Sequence, residues 1–137
     1  MNKQRVNEWI APAAEALTKT GIAESGKINS TFRGQISTFG AAVTMGSLKA
    51  AAAFFSQQGS ASVHRELLLK AMYYVVTGEL KEPREVFAYV CTHDDVQTRD
   101  QFLDAAIALK LAMNLYDLGQ GGKKNEESNE ESKPTVQ

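Results

Sequence analysis

The chain has 137 residues, of which 43% are hydrophobic and 23% charged, with 3 Pro, 1 Cys and a formal net charge of -1. This suits one domain with a real core and excludes collagen-like and wholly disordered chains. A lone cysteine excludes an intramolecular disulfide framework, and uninterrupted apolar runs such as Ala50 to Phe55 and Ala71 to Val76 fall far short of the roughly 20 residues a membrane-spanning helix needs.

The opening Met1-Asn2-Lys3-Gln4-Arg5 lacks the apolar segment of a signal peptide, so a cytoplasmic protein without membrane contact is expected. From about Asn2 to Lys19, Val6, Trp9, Ile10, Ala13 and Leu17 fall at three- and four-residue spacings and predict one helical stripe. Pro12 is expected to bend this helix or mark its true start. Thr20 to Asn29, with Gly21 and Gly26 among small and polar residues, reads as a loop.

Phe32, Ile36, Phe39 and Val43, then Leu48, Ala51, Ala52 and Phe55, continue the helical period from about Ser30 to Gln58. A break is expected near Gly46-Ser47. Glycine weakens a helix interior by about 1 kcal/mol, so Gly34, Gly40 and Gly46 suggest positions where another helix approaches closely. Leu67, Leu68, Ala71, Met72 and Val75 predict a further helix from Val63 to Thr77. The runs Tyr73 to Val76 and Val86 to Cys91 also have strand propensity, so a hairpin is the rival reading. Helices are preferred because the first run continues a Leu-rich stretch and Pro83 suits a first helical turn.

The last helix is expected to start at a capping box, Thr98-Arg99-Asp100-Gln101, and to end at Gly119. Phe102, Ala106, Leu109, Met113 and Tyr116 form its stripe, widened by Leu103, Ile107, Leu111 and Leu118. So wide an apolar face implies a central helix or one shared with a partner. The fold class is therefore all-α, a compact bundle of about five to six helices spanning 1–118. The polar stretch 119–137, with Val136 as its one aliphatic residue, is expected to be a disordered tail.

Charge is unevenly placed. Residues 1–70 carry eight Lys or Arg against four Glu, whereas 71–118 carry four against eight acids. One basic and one acidic side would follow if these portions map onto faces.

Catalytic patterns are sparse. His64, His93-Asp94 and Asp117 follow the residue order of HD-type metal phosphohydrolases, in which imidazoles and carboxylates converge on a water-activating metal. Two histidines among many acids produce that order readily, and His93-Asp94 sits in an expected loop. Cys91 is read as a small buried apolar residue. Gly119-Gln120-Gly121-Gly122-Lys123 lacks the glycine spacing of a phosphate loop and follows a helix, not a strand. Neither a catalytic residue, a cofactor nor a metal ligand is assigned, and a binding or scaffolding module is expected.

One stretch is more specific. Gln35 to Val43, a small-residue helix around Gly40, is followed by Ser47-Leu48 seven residues after that glycine, and by Phe54-Phe55 six residues after Leu48. Over Phe32 to Phe55 the chain resembles the small helical subunit of the Cmr complex, the type III-B CRISPR RNA-guided effector. Ser47 stands where the family usually has glycine, and the last helix lacks the family's Tyr-Arg start and its glutamate. The related Csm small subunit of type III-A effectors is the close competitor.

The resemblance implies an all-α antiviral subunit without catalytic activity. It implies neighbouring copies of itself and the backbone and large effector subunits as partners, together with guide and target RNA. Sequence reading then belongs to base pairing with the guide, and the protein needs phosphate contacts alone. Within the net-positive portion, Lys27, Arg33, Lys49, Arg65 and Lys70 are the candidate RNA-binding residues.

Overall fold

The structure, a computed structural model, describes residues 1–57 and 64–119. Six helices form the bundle: α1 (Lys3–Lys19), α2 (Thr31–Met45), α3 (Leu48–Phe55), α4 (Arg65–Thr77), α5 (Pro83–Thr92) and α6 (Val96–Ala112). A short 3₁₀ turn, Met113–Leu115, follows α6. The expected all-α class holds, and no described helix is long and apolar enough to cross a membrane.

The predicted stripes are the core. Phe32, Ile36, Phe39 and Val43 of α2 and Leu48, Ala51, Ala52 and Phe55 of α3 are all buried. The α2–α3 break falls at Gly46-Ser47, where Ser47 caps α3 by accepting a hydrogen bond from the Ala50 amide at 3.0 Å. Across this corner the rings of Phe39 and Phe55 meet edge to face at 5.1 Å. Tyr73 to Val76 is helical: Leu68, Leu69, Ala71, Met72, Tyr73 and Val75 are buried on α4, so packing overrides strand propensity. Gly78 ends α4 in the left-handed region, φ 83°, with its amide on the Tyr74 carbonyl.

The central position expected for the last helix is observed, with α6 packing against α1, α2 and α4. Its limits differ from the expectation. Asp95, not Thr98, is the N-cap, accepting from the Thr98 amide at 2.7 Å. The helix ends at Ala112, and Gly119 does not terminate it. Instead the chain turns through Met113–Leu115 into a strand, β3 (Asp117–Gly119).

A second correction concerns Thr20 to Asn29, which is not plain loop. Strands β1 (Ala23–Glu24) and β2 (Lys27–Asn29) pair antiparallel across Ser25-Gly26, and β3 joins β2 in parallel, Ile28 opposite Leu118. Ser25 and Gly26 have φ of 53° and 76°, the two left-handed residues of a tight hairpin turn. Pro12 lies inside α1, whose start is Lys3 and whose N-cap is Asn2. Of the expected tail, Gly119 closes β3 and 120–137 lie outside the described residues.

The glycines are a third correction. A Cβ built on Gly34 or Gly40 meets nothing within 4 Å, so neither marks a close helix approach. At Gly46 a Cβ would stand 3.0 Å from the Ala42 carbonyl oxygen, and its backbone (φ -128°, ψ -106°) makes the break.

Candidate functional site

The five candidate cations are spread over β2, α2, α3 and α4, and four of them have an evident internal partner. Arg33 Nη1 donates to the Asn114 side-chain carbonyl after α6. Lys49 lies 3.5 Å from Asp94, and Lys70 lies 3.9 Å from Glu82. Such half-exposed pairs are weak and leave the cations open to exchange partners. Arg65 stands with its guanidinium 4.5 Å over the ring of Phe54. Lys27 is exposed on β2. They form no single patch along one helix, as expected.

The two charge portions meet inside the molecule. Arg5 with Asp104, Lys49 with Asp94 and Lys70 with Glu82 each join a cation of the first portion to an anion of the second. The strongest of them is buried: Asp104 is 1% exposed, and its Oδ2 accepts from Arg5 Nη2 at 2.7 Å, Arg5 Nε at 3.0 Å and the Asn2 amide at 3.3 Å.

This pair floors a groove of about 740 Å³ between the start of α1, α2 and α6. Ser37, Gly40, Ala41 and Thr44 give it one small-residue wall, and Leu103 and Ile107 face them. Lys110 crosses its edge to donate to Ser37 Oγ at 2.6 Å. Gly40, part of the stretch that carries the family resemblance, therefore serves an open groove rather than a helix contact.

The histidines stand apart in role. His64 precedes α4 and lies 3.4 Å from Glu66. His93 ends α5, stacks on Tyr89 at 4.0 Å and has its Nδ1 2.9 Å from the Tyr89 carbonyl oxygen. Among the described residues no three His, Cys, Asp or Glu side chains gather as a metal site would require. Cys91 is exposed on α5, which corrects the expectation that it is buried. Burial, and then the neighbouring Tyr73, raise the pKa of Tyr89.

Two features escape sequence reasoning. The Arg5–Asp104 pair joins residues 99 apart and has no local signature. The Phe54–Arg65 pair is hidden because Phe54 sits in an apolar run that points to the core, whereas it is 44% exposed beside its buried neighbour Phe55. No family model, curated protein or solved structure matches the chain.

Proposed function

We propose that the chain is a non-catalytic small subunit of a cytoplasmic RNA-guided effector of the type III-B Cmr kind, stacking in copies along guide and target RNA. The observation that carries this reading is the α2–α3 corner. The residues of the resemblance fold as one unit there, with Phe39, Val43, Leu48 and Phe55 interior. Exposed or half-exposed cations on several elements support phosphate contact without base reading. The Csm small subunit would share the same bundle and chemistry.

The test is co-expression of the full chain with the backbone and large effector subunits and guide RNA. Co-purification in a complex that binds target RNA is expected. Reversing Arg33, Lys49 and Arg65 to Glu should weaken all RNA sequences alike. The salt slope of log affinity should fall by roughly 0.7 to 0.9 for each phosphate that is no longer neutralised. A folded chain that stays out of the complex, or a metal-dependent hydrolytic activity of the purified protein, overturns the reading.

A further inference from the structure

Among the five candidate cations, Arg65 differs in kind. Arg33, Lys49 and Lys70 each face an oxygen, but the Arg65 side chain makes no hydrogen bond or ion pair with a described residue. Its Nε is buried without a partner, so what positions the guanidinium is the Phe54 ring 4.5 Å away. Phe54 in turn leans edge-on against Phe55, ring centroids 6.0 Å apart, which fixes it on the core while leaving 44% of it exposed. The outcome is a planar cation and an aromatic ring held together at the surface, with the terminal guanidinium nitrogens uncommitted to any described residue.

We infer that Phe54 and Arg65 form a stacking platform for an unpaired base of the bound RNA, a contact additional to the phosphate contacts. With one face of the Phe54 ring covered by the guanidinium, a nucleobase extends the stack by laying its π-face on the outer side of that guanidinium. A phosphate alone would take the edge of the guanidinium and leave its flat outer face unused. Every base has such a face, so the contact is sequence-tolerant.

This inference rests on the RNA-bound reading above, and its test separates the two. In the reconstituted effector, Phe54→Leu keeps apolar volume and removes the π-face, while Phe54→Trp keeps it. Circular dichroism confirms the fold of each full-length variant before assembly. Phe54→Leu should weaken target-RNA binding at least about fivefold with an unchanged salt slope, and Phe54→Trp should retain the parent's affinity. A target RNA carrying 2-aminopurine at successive positions should show quenching at one or more of them that Phe54→Leu relieves. If the Phe54→Leu effector binds RNA like the parent, the platform is overturned and the subunit reading stands. A variant that folds but no longer assembles marks the pair as a protein contact, which also overturns the platform. If the parent chain itself never enters the effector, both fall.

Discussion

At single positions, backbone conformation and buried charge decide most. Ser25 holds φ 53°, where an L-residue other than Asn, Asp or Gly is disfavoured by roughly 1 kcal/mol or more. Ser25→Asn should raise stability by about 0.5–1 kcal/mol in urea unfolding, since the β1–β2 turn requires that conformation. Gly40→Ala should be stabilising to a similar degree, because the new methyl meets open groove and the helix gains propensity. Arg5→Ala should lower stability by about 1–3 kcal/mol, because the Asp104 carboxylate then stays buried with one amide partner, Asn2. Asp95 gives a pH signature. The Thr98 amide and then its side chain hold the Asp95 carboxyl below the ordinary carboxylate range. A lowered folded pKa means the contribution is present above the unfolded value and is lost as pH falls through the folded one. Asp95→Ala should therefore melt earlier than the parent at pH 7, with the gap narrowing as pH drops below about 4.

At the level of elements, what repeats is legible in the sequence and what joins distant segments is not. The stripes of α2, α3 and α4 are periodic, so spacing alone puts Phe39, Leu48 and Met72 in the core. Pro83 likewise marks the first turn of α5, where the Glu82 amide also donates to Glu85 Oε1 at 3.0 Å. The start of α6 is misplaced by the sequence because the Thr98 box lies inside the helix: Asp95, three residues upstream, accepts from the Thr98 amide and is the N-cap. The sheet escapes for a different reason. Strands of two and three residues carry no alternation to detect, and β3 exists only because β2 is beside it. The site is the least legible part. Sign of charge singles out Lys49 and Lys70, yet their neighbours Asp94 and Glu82 are set by tertiary packing.

On the scale of the whole molecule, the uneven charge is partly consumed within one copy. Among the described residues three ion pairs cross between the basic and acidic portions, so the uncompensated charge of each is smaller than the bare count of +4 and -4 suggests. Truncation probes the C-terminal boundary: stopping after Leu115 removes β3 and should lower the thermal midpoint, whereas stopping after Gln120 should leave it unchanged. The position of α6 and β3 also governs when the protein can fold during its own synthesis. The helix that α1, α2 and α4 pack against is the last of the six described helices in chain order, and β2 waits for a partner roughly ninety residues downstream, a separation long enough to make its closure a late event. Until then the ribosome carries a chain with its largest apolar faces uncovered, the state in which nascent proteins associate with one another or with chaperones. Completion of the bundle thus waits for α6 and β3, in whatever order the earlier helices meet.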